Sequence, residues 1–269
     1  MKNKVISLFL SVFFSLIVTI NAFSTTAYAN TSDDSIDSQT QIYYMNDTKI
    51  VVNDEVDTVT VSVYVDNILD HTAEVSRITG EMIVKSPNNT PKVSNIKDYT
   101  SDINFNSTPS IRTPTAEGYT YLTQGSGYTP NPSLTAYLWY KDITVEGAAH
   151  AIRFTAGAAI GAITGFIISL IPGVNAINII TALGASVVGG TIGAAIDGDI
   201  WAVDMYKYFQ GTCNGKTSLK THRFSRYARV INKKNRKSTL EFVGNYGNWS
   251  DSSRMLYDTV NNYMAGIYY

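Results

Sequence analysis

The stretch GAAIGAITGFIISLIPGVNAINIITALGASVVGGTIGAAIDGD, Gly157 to Asp199, decides how the rest of the chain is read. No charged residue interrupts the sequence from Phe154 to Ile196. Pro172 and Gly173 divide it, proline breaking a helix and glycine permitting a tight reversal. On either side, Ala149–Ile171 and Val174–Ile196 are 23 residues each. At ~1.5 Å rise per residue such a run spans about 35 Å as a helix, against a hydrocarbon core of ~30 Å. Gly157, Gly161 and Gly165 fall four apart, and Ala185, Gly189 and Gly193 repeat the spacing. Residues four apart share a helix face, and a face of small residues lets two helices approach closely in lipid. The pattern predicts a hydrophobic helical hairpin with bulky residues such as Phe166 on its outer side.

Three readings of this hairpin compete: the buried core of a protein domain, a permanent pair of membrane spans, and a stored element that inserts later. The resident reading conflicts with charge. After export from the N-terminus the Pro172–Gly173 turn would lie inside, where Lys and Arg are expected, and LIPGVNAIN has none. An uncharged turn is instead easily pushed across a bilayer from outside, which favours late insertion.

Export itself is read from MKNKVISLFLSVFFSLIVTINAFSTTAYAN. Lys2 and Lys4 precede an apolar run that closes on Ala27-Tyr28-Ala29, the form of a secretory signal peptide cleaved after Ala29. Residues 30–41 read as a polar, disordered leader, and 42–141 as a β-rich domain, because Val59–Val65 alternates apolar and polar residues. The hairpin is assigned to 142–210 and a basic aromatic region to 211–269. The fold class expected is α+β: a β-rich N-terminal domain, a central Gly/Ala-rich hydrophobic helical hairpin and a C-terminal region containing a basic β-hairpin that turns at Asn232–Asn235. Cys213 stands alone, so no disulfide forms within the chain.

The net charge of −1 hides a polarity between the ends. Residues 30–147 hold seven Lys/Arg against sixteen Asp/Glu, whereas 205–269 hold eleven against three. Between Asp204 and Glu241 there are ten basic residues and no acid. Trp201, Lys220, Arg223, Arg226, Arg229, Lys233, Lys234, Arg236 and Lys237 are therefore the expected membrane-surface set, with Tyr206, Tyr208 and Phe209 as an interfacial belt. Single-stranded nucleic acid tolerates the same mixture, but an exported protein seldom meets it, so no nucleic-acid partner is expected.

No catalytic constellation emerges. His71, His150 and His222 are far apart without metal spacing, and neither HExxH nor GxSxG is present. Cys213 with His222, and Asp197-Gly198-Asp199 with Asp204, lack the surrounding residues that a thiol nucleophile or a calcium loop needs. The expectation is a non-enzyme with no catalytic residue, cofactor or metal. The same carboxylates would serve as an acid trigger, their neutralisation easing insertion.

A signal peptide, a polar β-rich head, a glycine-rich hydrophobic hairpin and a basic aromatic tail together resemble the large secreted bacteriocins of Gram-positive bacteria, the geobacillin-type high-molecular-weight family. The hairpin is also similar to that of pore-forming colicins. The resemblance implies membrane permeabilisation of related bacteria. Gly157, Gly161, Gly165, Phe166, Pro172, Gly173, Ala185, Gly189 and Gly193 would then insert. The implied partners are the target-cell membrane, a surface receptor, an immunity protein and further copies of the chain in the membrane. The alternative is a non-lytic secreted or surface interaction protein whose hairpin is only buried core.

Overall fold

The computed structural model describes residues 39–103, 118–125, 131 and 133–269. The signal peptide, its cleavage after Ala29 and residues 30–38 of the leader lie outside the described residues. The leader's last three residues, 39–41, are already strand.

The fold is mostly β. Strands β1 (Gln39–Met45), β2 (Thr48–Asp54), β3 (Thr58–Val65), β4 (Ile68–Ser76), β5 (Glu81–Lys85) and β6 (Lys92–Asn95) form one antiparallel meander in sequence order. Period-2 alternation gives it one apolar face: Ile50, Val52, Val59, Val61, Val63, Val75 and Met82 are fully buried. Asp66 and Asn67, both at positive φ, make the two-residue β3–β4 turn whose twist suits a hairpin.

A second, seven-stranded antiparallel sheet is built around β13 (Ile196–Cys213) and β14 (Lys216–Asn232). Strand β15 (Ser238–Gly247) flanks β14. The other edge of β13 takes two partners in succession: β10 (Ala149–Phe154) along Ile196–Ile200 and β9 (Ala136–Glu146) along Val203–Cys213. Strand β7 (Thr100–Ile103) pairs with β10, and β8 (Thr120–Gly125) with β9. At ~3.3 Å per residue the 18 residues of β13 reach about 60 Å, so this sheet projects well past the core.

The expected helical hairpin is not there. Helix α1 (Ile160–Leu170) has 11 residues and α2 (Ala176–Ala182) has seven. At ~1.5 Å per residue α1 covers about 16 Å, half a hydrocarbon core, and no helix among the described residues is long and apolar enough to cross a membrane. Ala149–Phe154 is strand, paired on both edges. Gly157 at φ +83° turns that strand toward α1. The α1–α2 link holds Pro172 and Gly173, the latter at φ +79°. Beyond α2, Gly184, Gly189 and Gly190 all adopt positive φ, which ends helical structure. The β-branched residues between them form a short ribbon, β11 (Val187–Val188) with β12 (Thr191–Ile192). Ala185 is buried in the core, and Gly193 lies against Ser186. Fold class is thus corrected from a central helical hairpin to two antiparallel sheets with short helices packed between them.

The four-residue glycine spacing has a different physical cause. Gly161 and Gly165 rest on the meander, not on a second helix. A Cβ at Gly161 would lie 2.7 Å from His71 Nε2, and one at Gly165 2.7 Å from Val75 Cγ2. The Gly161 N–H, one of the unpaired donors of the helix N-terminus, donates to His71 Nε2 at 3.0 Å. His71 Nδ1 in turn lies 2.7 Å from Asp70 Oδ2, which leaves Nε2 as acceptor. On the other side of α1, the Phe166 ring meets Phe154 of the second sheet edge-on at 5.2 Å. One hydrophobic core joins the meander, α1, α2 and the base of the second sheet through Ile152, Ile196, Ile200 and Val230.

Far from this core a second cluster forms where α3 (Ser252–Met264) lays Met255, Leu256 and Val260 on Leu138, Phe209 and Leu219. Asp251 caps α3 by accepting the Arg254 N–H at 2.7 Å. Gly211 carries no side chain because a Cβ would overlap Thr259.

Gly165→Leu is expected to remove at least about 3 kcal/mol of unfolding free energy, and Gly165→Ala about 1–3 kcal/mol, from overpacking against Val75. Gly157→Ala, with open space around its Cβ, pays only the positive-φ strain, about 1 kcal/mol. Denaturant unfolding of the three variants checks the order, which a helix–helix zipper would not produce.

Candidate functional site

The part of the second sheet that outruns the core is an arm made of β9, β13, β14 and β15. Its faces follow from strand alternation. Ile196 and Ile200 point into the core, and on the same face farther along come Asp204, Tyr206 and Tyr208. Ala228 and Val230 on β14 likewise give way to Arg226, Phe224 and His222. The apolar face of one end becomes an aromatic and charged face at the other.

Cross-strand pairing turns these residues into a row. Tyr206 stands opposite Phe224, and Phe224 opposite Tyr246. The rings stack with centroids 4.6 Å and 4.9 Å apart. Tyr208 stacks on Tyr206 at 5.6 Å, and His222 closes the row at 5.5 Å from Tyr208. Such pairs contribute about 0.5–1.5 kcal/mol each beyond area burial. Arg226 borders the row, its Nε and Nη2 each donating at 2.8 Å to the two oxygens of Asp204. That bidentate bond holds the guanidinium charged and raises its pKa further. Burial, then the charge of Asp204, lifts the Tyr206 phenol above its ordinary value of 10.0, and burial does the same for Tyr208.

The basic residues do not form one continuous surface. Arg229 pairs with Glu146 and lies over Trp201. Lys233 reaches Asp199 at 2.9 Å, Arg153 reaches Asp197 at 3.3 Å, and Lys207 reaches Asp142 at 3.5 Å. The middle of the arm and its core end are therefore largely neutralised, and the Asp197, Asp199 and Asp204 carboxylates placed in the acid trigger are ion-paired. Trp201 is only 7% exposed and packs with Ala149 and Val203, so it is not part of an interfacial belt. Phe209 is buried under α3 as well.

The remaining cations divide between the two ends of β14. Lys234, Arg236 and Lys237 are exposed on the β14–β15 turn, and among the described residues no carboxylate pairs with them. Asn232, buried at 2% exposure, fixes that turn by accepting the Lys234 N–H at 2.9 Å, while its amide points to the Ala182 carbonyl. Arg236 takes φ +58°. At the other end, Lys216 lies 4.4 Å from the Tyr268 ring, Lys220 is exposed, and Arg223 stacks with Phe209 and Trp249. Trp249 and its neighbour Gly247 were not singled out by sequence. The signal available was only a glycine and an aromatic following a basic strand.

Cys213 is buried, which raises its thiol pKa, and His222 pairs with Tyr208, five residues away along β13. The two do not meet as a nucleophile and base. Among the described residues no group of three His, Cys, Asp or Glu is placed to hold a metal ion. No family model, no curated protein and no solved structure matches this chain.

The raised tyrosines give a pH prediction. A phenol whose folded pKa is raised contributes stability that is complete below 10.0 and is lost as pH rises through the folded value, because the unfolded chain ionises first. Unfolding midpoints should fall in that alkaline window. Tyr206→Phe should make the fall shallower, and an unchanged slope would refute the assignment.

Proposed function

We propose that this protein is a secreted antibacterial protein that docks on the anionic envelope of Gram-positive cells through the basic β14–β15 turn and the cations at the other end of β14. The observation that carries the reading is the sorting of charge. Arg226 and Arg229 along β14, and Lys233 where the β14–β15 turn begins, pair with Asp or Glu, whereas Lys234, Arg236 and Lys237 on the same turn are exposed and without a carboxylate partner among the described residues. A basic residue held near an anionic surface contributes about 1 kcal/mol. Three acting together are worth roughly a hundredfold in partitioning. The antibacterial part rests on the resemblance to secreted bacteriocins in overall organisation: a leader, a β-rich head, an apolar glycine-rich middle and a basic end.

Permeabilisation by two helical spans is not part of this proposal, since α1 and α2 are too short. The burial of Gly161, Gly165 and Phe166 between the sheets favours a second reading, a non-lytic envelope-binding protein in which this segment is only core.

The triple variant Lys234→Gln, Arg236→Gln, Lys237→Gln should lose roughly a hundredfold in binding to phosphatidylglycerol vesicles at low salt while unfolding normally. Arg226→Gln should instead lower stability, because it strands the half-buried Asp204. Equal vesicle binding by the triple variant would overturn the docking surface. To separate the two readings, the chain without residues 1–29 is added to growing Gram-positive cells with a membrane-potential dye. Death with depolarisation supports the antibacterial conclusion. Adherence with normal potential and growth across a broad panel moves the conclusion to the non-lytic protein.

A further inference from the structure

The face of the arm opposite the tyrosine row carries an open groove of about 370 Å³, lined by Asp142, Thr144, Lys207, Arg223, Ser225 and Trp249. Arg223 is its central group. The guanidinium carbon lies 5.1 Å from the centre of the buried Phe209 ring and 4.6 Å from that of the partly exposed Trp249 ring. Stacking of this kind immobilises the planar group and leaves its N–H edge available. Among the described residues that edge meets no acceptor and no carboxylate. Every neighbouring arginine of β14 is paired, Arg226 with Asp204 and Arg229 with Glu146.

The aromatic wall is held in place. Trp249 Nε1 donates to the Tyr246 carbonyl at 3.0 Å, and the Asn248 N–H donates to the His222 carbonyl at 2.9 Å. Gly247, at φ +81°, lets the chain lie this close to β14, since a Cβ there would come 2.6 Å from the His222 oxygen. Lys207 sits 3.5 Å from Asp142 and 4.7 Å from the Tyr140 ring. With two cations and one carboxylate, the groove favours a ligand bearing a single negative charge.

We propose that this groove binds one phosphodiester of an anionic envelope molecule, with its non-bridging oxygens on the Arg223 edge and the adjoining polyol or sugar against Trp249. A carboxylate is planar, and both of its oxygens lie in the plane of a guanidinium that grips them as a fork. A phosphodiester is tetrahedral, so its non-bridging oxygens carry further lone pairs out of that plane, where the Thr144 hydroxyl and the Lys207 ammonium are donors; the Ser225 hydroxyl stays bonded to Asn245 Oδ1 at 2.8 Å. The volume suits a phosphate with one flanking polyol. This inference rests on the envelope-docking reading for the source of the ligand, not for its chemistry. The source is either a phosphodiester-linked wall polymer or a phospholipid headgroup.

The test is calorimetric titration of the full chain with glycerophosphoglycerol, a single phosphodiester between two polyols, and with glucuronate as the carboxylate comparison. Saturable binding of the diester is expected, with glucuronate at least tenfold weaker. Arg223→Lys keeps the charge but not the fork and should weaken the diester at least tenfold, as should Trp249→Ala. The Lys234, Arg236, Lys237 triple variant should bind it normally. Near-UV circular dichroism matching the parent chain shows that the Arg223 variant is folded, and Trp249→Phe, which keeps a ring, should lose less than Trp249→Ala. No saturable diester binding, equal affinity in Arg223→Lys, or equal affinity for glucuronate would each overturn the proposal. Sensitivity to Arg223→Lys in poly(glycerol phosphate) binding assigns the ligand to the wall polymer, and in phosphatidylglycerol vesicle binding to the lipid. Diester binding through Arg223 without adherence to cells would sink the docking reading alone. Adherence that needs the basic turn, without diester binding, would sink the groove alone.

Discussion

Close approach of α1 to the six-stranded meander is the constraint on which the rest of the structure depends. Gly161 and Gly165 bring the helix backbone onto Val63, His71 and Val75, with no room for a Cβ at either position. His71 makes that approach polar as well as apolar, since its Nε2 accepts a helix N-terminal N–H that would otherwise be buried unpaired. Once α1 is seated, its other side presents Phe166 to Phe154, and the second sheet can close over it. An apolar segment with no charge from Phe154 to Ile196 is thereby covered from both sides.

The second sheet serves two purposes with the same strands. Strand β13 is longer than the core is wide, so its inward face changes chemistry along its length, from Ile196 and Ile200 to Asp204, Tyr206 and Tyr208. The aromatic row replaces core packing where no opposing layer exists, each ring covering the next. On the reverse face α3 covers the tip, and the groove around Arg223 lies on that same face of the sheet. The charge of the second sheet is arranged rather than merely abundant: acids from β9 and β13 neutralise Lys207, Arg226, Arg229 and Lys233, and the unpaired cations are left on the rest of the β14–β15 turn and near the tip.

This arrangement connects to the proposed function through desolvation. A cation already paired with a carboxylate gains little from an anionic surface, because it must give up one partner for another. Lys234, Arg236 and Lys237 surrender only water. Arg223 is more selective, since two rings hold its guanidinium in one orientation and a matching diester would find the donors already placed.

Much of this was open to a reading of the residues alone. The alternation Val59-Thr60-Val61-Ser62-Val63 carries β3, the run Asn232–Lys237 carries the turn between β14 and β15, and the total apolarity of Phe154–Ile196 requires that the segment leave water. What surface would cover it was not readable. A glycine every fourth residue marks a close approach, and the same spacing serves a helix against another helix or a helix against a sheet. The second half, Val174–Ile196, carries enough glycine and β-branched residues to be poor helix, but local propensity is weak, and only the pairing of neighbouring strands fixed its outcome. Likewise the count of ten basic residues is a property of the chain, whereas which of them are neutralised is not. Asp142, Glu146 and Asp199 lie 34 to 83 residues from Lys207, Arg229 and Lys233, the cations they pair with. The sequence by itself determined that an uncharged segment must be buried and that a basic, aromatic β region follows it. The tertiary structure alone decided that sheets do the burying and which charges remain, because both depend on contacts between residues that only the folded chain brings together.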